Sequence, residues 1–418
     1  MGRRYVILGA GPAGWSAVQA IRSHDPHGTI TLVSGEAVPP YARMLLSYWL
    51  EGKVGEEVMY PFPDGYFEGL GVEVLYGQRA TAVDPHTQQV TLADGRVLPY
   101  DELLIATGAS PWRPPVAGLE QPGVFTLWTL EDVRGIRAMI RPGGEAVIIG
   151  AGFIGMQAVD ALVKRGMRCT IVELLPQVLP RILDGEGASL VEETLIERGV
   201  RVFTGRQVAE IRSAGKRRKR QEVVLDDGRT LPADLVITAT GVRPNLDLAR
   251  TSGLDTATGI LVDEEMRTSV PHIYAAGDVA EGYDFSTGER AVHAIWPTAV
   301  DQGRVAGLNM AGLQIPYPGS LSMNTLDVLG LPLASVGLFE GEDLVVQVHR
   351  GMARRTYRKL AFRNGRLAGA ILVGGIEDIG LLQAMIRQQA NLTRWKDSIS
   401  WAPLNLGKAM LAYGGMHP

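Results

Sequence analysis

The chain has 418 residues, 46% of them hydrophobic and 21% charged, with a formal net charge of -4 and one cysteine. That length holds two or three domains with a sizeable core, and the near-neutral balance excludes the basic footprint of a nucleic-acid binder. No apolar run reaches the ~18–20 residues of a membrane span, and the lone Cys169 excludes an internal disulfide and an iron–sulfur cluster held by this chain alone.

Arg3-Arg4 leads directly into Tyr5-Val6-Ile7-Leu8, which reads as a buried parallel strand rather than a signal segment, so a cytoplasmic location is the default expectation. Gly9-Ala10-Gly11-Pro12-Ala13-Gly14 follows, then a helical pattern over 15–22 and a second strand over 29–33. Strand, glycine turn, helix and strand in this order mark a dinucleotide site, with the pyrophosphate on the helix N-terminus. Glu36 is the candidate acid for the ribose hydroxyls, Gly35 being the other residue that could fill the strand-end slot. Pro111, Pro114, Pro115, Gly118, Pro122 and Gly123 mark a linker.

The same order then recurs. A strand over 146–149 enters Gly150-Ala151-Gly152-Phe153-Ile154-Gly155, a helix is expected over 156–165, and a strand over 170–172 closes on Glu173. An acid at that place accepts from both ribose hydroxyls and repels a 2′-phosphate, which favours NAD over NADP. Cys169, at the start of this strand, reads as a small buried apolar residue. The basic run 216–220 lies between strand-like segments and is either a solvated hairpin tip or a patch for an acidic partner. Further boundaries are expected near Arg243-Pro244 and over 315–319. Asn364-Gly365 between two apolar runs is a hairpin signal, and a helix is expected from about Gly375 through Gln389. The stretch 391–418 carries Trp395, Trp401 and Tyr413 and packs on its own domain or on another subunit.

Three further segments carry a family resemblance. Leu103-Leu104-Ile105-Ala106-Thr107-Gly108 resembles the strand and Thr-Gly turn that ends the first half of an FAD domain. The segment 236–245, with Thr240-Gly241, resembles its counterpart in an NAD domain. Ile273-Tyr274-Ala275-Ala276-Gly277-Asp278-Val279 resembles the Gly-Asp motif whose aspartate holds the ribityl chain. On these motifs the chain is identified as a member of the pyridine-nucleotide–disulfide oxidoreductase superfamily over at least residues 3–312. The resemblance implies an α/β fold with two Rossmann-like dinucleotide-binding domains, glutathione-reductase-like, plus a C-terminal α+β interface domain. The implied division is FAD domain 1–112 and 244–316, NAD domain 113–243, and interface domain 317–418.

The implied FAD set is Gly9, Gly11, Pro12, Ala13, Gly14, Glu36, Arg43, Ala80, Thr107, Gly108, Gly277, Asp278 and Trp296; the NAD(H) set is Gly150, Gly152, Phe153, Ile154, Gly155, Glu173 and Gly241. Tyr41-Ala42-Arg43-Met44-Leu45-Leu46-Ser47 resembles the flavin-contacting segment of ferredoxin reductases and of the nitrite reductase large subunit. Tyr48 stands where such reductases often carry a lysine, and near where the thiol-dependent members carry a cysteine. His293 reads as structural. The helix expected over 299–310, with Thr298 as its N-cap, would aim its positive end at the flavin. Trp296 would flank the ring or belong to the core or an interface. No catalytic residue is assigned beyond the flavin-proximal Arg43, Tyr48, Trp296 and Thr298, and no metal ligand set is present.

The resemblance implies hydride exchange between nicotinamide and flavin, with the protein supplying position and electrostatics. Without a redox cysteine pair, the electrons pass to an iron–sulfur protein or subunit. The make-up resembles the flavoprotein subunits of phenylglyoxylate dehydrogenase and of tungsten aldehyde oxidoreductases, which implies a multi-subunit complex with a tungsten- or thiamine-dependent catalytic subunit. The alternatives are a free-standing NADH-dependent ferredoxin or rubredoxin reductase or NADH oxidase, and a structural or signalling flavoprotein of the apoptosis-inducing-factor kind. The C-terminal domain serves either a homodimer or a docked partner.

Overall fold

The computed structural model describes residues 2–213, 220–351 and 355–393. Within them the helices are, in chain order, α1 (Pro12–His24), α2 (Leu46–Glu51), α3 (Tyr66–Gly69), α4 (Leu130–Met139), α5 (Phe153–Lys164), α6 (Gly185–Glu197), α7 (Asp247–Thr251), α8 (Trp296–Met310) and α9 (Ile379–Arg387). Residues 216–219 of the basic run and the tail with Trp395, Trp401 and Tyr413 lie outside the described residues.

Two units account for these elements. The first takes the described residues up to Leu45, Gly55–Ser110 and Val242–Leu321. Its centre is a parallel sheet with strand order Ile273–Ala275, Glu102–Ile105, Arg4–Leu8, Thr29–Val33 and Val72–Leu75. The apolar runs are buried because helices cover a parallel sheet on its faces. α1 and α8 cross closely through small residues. A Cβ on Gly303 would stand 2.1 Å from the Ala13 carbonyl oxygen, and one on Gly307 2.6 Å from that of Ala17.

The second unit takes Leu46–Val54, Pro111–Gly241 and the described residues from Ser322 onward. It repeats the parallel plan, in the order Arg201–Phe203, Arg168–Val172, Glu145–Ile149, Leu235–Thr238 and Val124–Thr126. The antiparallel pair Val208–Ser213 and Gln221–Leu225 forms the hairpin expected around the basic run. The C-terminal sheet is antiparallel, in the order Met323–Val328, Leu331–Gly337, Arg366–Val373, Thr356–Arg363 and Val345–Gly351. Asn364 (φ 52°) and Gly365 (φ 74°) make its tight turn, the left-handed pair that a two-residue hairpin requires.

Two polar knots tie this second unit together. Asp184, the N-cap of α6, accepts from Gly187 N–H (3.1 Å), Tyr357 O–H (2.6 Å) and Lys359 Nζ (2.9 Å). Burial pushes the Asp184 carboxyl up, but these donors outweigh it and hold it below the usual carboxylate range. Asp160 of α5 accepts from Leu329 N–H (2.9 Å) and from Lys164 (2.6 Å), which also meets Glu51 of α2 (3.1 Å).

Three helices begin earlier than the apolar periodicity suggests. α1 starts at Pro12, α5 at Phe153 and α8 at Trp296, each in place of a later expected start. Proline suits the first turn, where its missing N–H has no intrahelical partner to serve. Pro297 therefore sits as the second residue of α8, and Thr298 lies inside the first turn instead of capping it; Ile295 is the N-cap.

Candidate functional site

The first glycine turn joins the strand Arg4–Leu8 to α1. Gly9 has φ +116°, and a Cβ there would stand 2.1 Å from the Ala106 carbonyl oxygen; a Cβ on Gly14 would stand 1.8 Å from the Gly9 oxygen. Only glycine fits either place. Gly11, the N-cap of α1, is different: nothing lies within 4 Å of where its Cβ would be. An open approach to free helix N–H groups is the geometry that accepts a pyrophosphate.

Around this turn the first unit gathers several of the expected residues. Thr107 Oγ1 and Trp15 Nε1 are buried with no hydrogen-bond partner in the structure, an arrangement that calls for a polar group from elsewhere. Asn245 holds the Thr107-Gly108 turn, its Nδ2 donating to the Thr107 carbonyl (2.8 Å) and its N–H to that of Gly108 (3.0 Å). Gly277 (φ +79°) and Asp278 follow the strand Ile273–Ala275. Burial pushes the Asp278 carboxyl above the usual range, while the Arg43 charge and its own backbone N–H pull the other way. Such an acid suits a hydroxyl partner better than water-exposed ionisation. These observations fit an FAD-sized group along the α1 turn.

Arg43 pairs with Glu36 at 2.6 Å, and Tyr41 O–H donates to the other Glu36 oxygen at 2.9 Å. Ala80 opens the strand Ala80–Asp84 and is half-buried. Trp296 stands 5.9 Å from Trp15, ring to ring, and Thr298 is buried. His293 faces Asp284 (Nε2 to Oδ2, 3.6 Å). Tyr48 lies on α2, which belongs to the second unit, where Leu46, Trp49 and Leu50 are buried and Lys53 lies over the Tyr48 ring.

The second glycine turn follows the same rules. Gly150 has φ +104° with a Cβ position 2.4 Å from the Ala239 oxygen, Gly155 would clash with the Gly150 oxygen at 2.0 Å, and Gly152 opens on free space. Phe153 and Ile154 are the first two residues of α5. Glu173, 8% exposed, accepts from Ala151 N–H (2.6 Å) and from Leu175 N–H (2.8 Å). The acid expected at the ribose thus also braces the turn itself. Gly241 (φ +100°) accepts from Trp112 N–H, and Thr240 Oγ1 donates to the Trp112 carbonyl. This set fits a second dinucleotide.

Two residues escaped the sequence reading. Asn245 lay inside a quoted motif without a role. Gln302, 2% exposed on α8, accepts from Gly277 N–H at 2.9 Å; a long polar residue amid the small ones of α8 was the available signal. Cys169 is 2% exposed in the strand Arg168–Val172, and burial together with the Glu145 charge pushes its thiol up to about 12. Such a thiol is inert at neutral pH. Among the described residues no cluster of three or more His, Cys, Asp or Glu could hold a metal ion, and no helix is long and apolar enough to cross a membrane.

The model of the pyridine nucleotide-disulphide oxidoreductase family matches residues 3–303. The chain belongs to this family. Residues 323–390 match the rubredoxin NAD+ reductase C-terminal domain. Over 417 residues the chain is 35% identical to the NADH-dependent phenylglyoxylate dehydrogenase subunit epsilon of Aromatoleum evansii, covering 98% of this chain and 97% of that one. It is 32% identical over 396 residues to an NADH oxidase of Methanocaldococcus jannaschii, covering 89% and 88%. The solved covalent putidaredoxin reductase–putidaredoxin complex contains a chain that matches with TM-score 0.92 at 29% identity, over 99% of both. The fold is therefore that of the FAD- and NAD-dependent oxidoreductases, and the chain is an FAD-dependent NAD(H) oxidoreductase of the electron-transfer kind.

Proposed function

We propose that the chain is the flavoprotein subunit that exchanges electrons between NAD(H) and an iron–sulfur partner subunit. The complex would be of the aldehyde or 2-oxoacid oxidoreductase type, with a tungsten- or thiamine-dependent catalytic subunit. The observation that carries this reading is the state of Cys169. The only sulfur nucleophile is locked in a strand with its thiol pushed up by burial, so the chain cannot store an electron pair as a disulfide. In this reading the electrons leave the flavin to a redox centre on another protein. Likeness along the whole length to a dehydrogenase subunit supports a subunit role.

Bound FAD supplies hydride exchange with NAD(H) and single-electron exchange with a metal centre. The chain supplies position. In this reading Gly9, Gly11, Pro12, Ala13 and Gly14 lay the FAD pyrophosphate against α1, and Glu36, Arg43 and Ala80 serve its adenosine and phosphates. Thr107, Gly108, Gly277 and Asp278 hold the remainder, with Trp296 and the first turn of α8 beside the ring. Gly150, Gly152, Phe153, Ile154, Gly155, Glu173 and Gly241 hold NAD(H), and the Glu173 carboxylate disfavours a 2′-phosphate.

Native-mass measurement of the tagged chain from its source tests the proposal. Iron–sulfur subunits in fixed stoichiometry are expected. A chain that emerges alone, and rapidly reduces added ferredoxin or rubredoxin with NADH, overturns it. That outcome establishes the second reading, a free-standing reductase, which the likeness to the putidaredoxin reductase chain favours.

A further inference from the structure

The turn that carries Asp278 is held from two directions. Gly277 is buried with φ +79°, which leaves glycine as the fitting residue. Its carbonyl accepts from Ala280 N–H at 2.9 Å and closes a tight turn around Asp278. Its N–H meets no backbone acceptor among the described residues. Instead it donates to the side-chain oxygen of Gln302 at 2.9 Å, from the middle of α8. Gln302 is 2% exposed and sits immediately before Gly303, the residue that lets α8 press against the Ala13 carbonyl at the start of α1. A Cβ on Gly277 would meet Ala13 Cβ at 3.1 Å and Ala299 Cβ at 3.6 Å. The fingerprint helix, the Asp278 turn and α8 therefore converge on one spot, and the Gln302–Gly277 bond is a directional polar contact within it.

From this geometry we infer that Gln302 is a positioning residue for FAD, acting through the Gly277 amide to set the direction of Asp278. The inference rests on the reading that Asp278 contacts FAD. Packing between α1 and α8 is built from small apolar surfaces and fixes only how close the helices lie. It does not fix the rotation of the Gly277 peptide, because glycine permits several. A buried N–H without an acceptor is costly, so the peptide would turn to find one and carry Asp278 with it.

The test is reconstitution of the full-length apoprotein with FAD, with Kd read from flavin fluorescence, for Gln302→Met, Asp278→Ala and the double variant. Methionine keeps the shape and loses the acceptor. Gln302→Met is expected to weaken FAD about tenfold, the scale of one buried hydrogen bond. In the Asp278→Ala background the same change is expected to cost nothing more, since its effect passes through Asp278. Equal losses in both backgrounds reduce Gln302 to a packing residue and overturn the inference, as does an unchanged Kd in the single variant. If Asp278→Ala itself binds FAD normally, the site reading fails instead. Gln302→Asn, one methylene short of Gly277, serves if the methionine variant does not fold; the same loss is expected, and full affinity overturns the inference.

Discussion

The two glycine turns share a backbone and differ in what closes them. Gly9 and Gly150 have φ +116° and +104°, and the N-caps Gly11 and Gly152 share φ -76° with ψ -175° and -171°. In register, Leu8 pairs with Val33 and Ile149 with Val172, so Ser34 and Glu173 occupy the same place. Glu173 there reaches back to Ala151 N–H inside its own turn. The Ser34 hydroxyl stays within its local loop, donating to the Glu36 carbonyl at 3.0 Å, and the acid Glu36 lies two residues further on, its carboxylate held by Arg43 and Tyr41. One acid is fixed by backbone amides and the other by side chains. In the proposed reading the shared glycines answer a shared pyrophosphate, and the two acids are placed by unrelated local solutions.

The largest expected effect probes the shared part. Gly14→Ala and Gly155→Ala each drive a Cβ into a backbone oxygen and should destabilise by about 3 kcal/mol in chemical denaturation. Gly11→Ala and Gly152→Ala should fold normally and each lose one dinucleotide, seen as lost flavin content and lost NADH binding respectively. Normal stability of Gly14→Ala would break the packing account of the motif.

Next comes a feature the first turn lacks. Asp184→Ala removes the partner of the half-buried Lys359 and of Tyr357, and should lower stability by about 3 kcal/mol with flavin content unchanged. Because the folded Asp184 carboxyl lies below its usual range, its contribution is full above the unfolded value and fades as pH falls through the folded one. The gap in stability between wild type and variant should therefore close in acid; a gap that persists there would refute the ionic assignment.

The acids themselves come third. Glu173→Ala should weaken NADH about tenfold, on the scale of one charged hydrogen bond, and NADPH less; equal losses refute its role. Glu36→Ala breaks a more exposed pair, about 0–1 kcal/mol, and should reduce flavin retention only slightly. Smallest of all, Cys169→Ala should leave NADH-driven electron transfer to an artificial acceptor intact. Loss of turnover in a folded variant would contradict a mechanism without a cysteine.

Much of this architecture was legible in the chain. Strand, glycine turn and helix follow from local sterics, and the Asn364-Gly365 hairpin from the left-handed pair it needs. The sequence reading erred where proline shifts a helix start. Thr298 reads as a cap, yet Trp296 and Pro297 already form the first turn of α8.

The sequence by itself determined the strand–turn–helix repeats, the fold class and the absence of a redox cysteine pair, because each depends on residue type and short-range geometry. Tertiary structure alone decided that Glu173 braces its own turn, that Asp184 meets Tyr357 and Lys359, and that Gln302 serves the Gly277 amide. Which acceptor a buried donor reaches depends on how distant segments pack, and nothing in the local sequence of either partner specifies that choice.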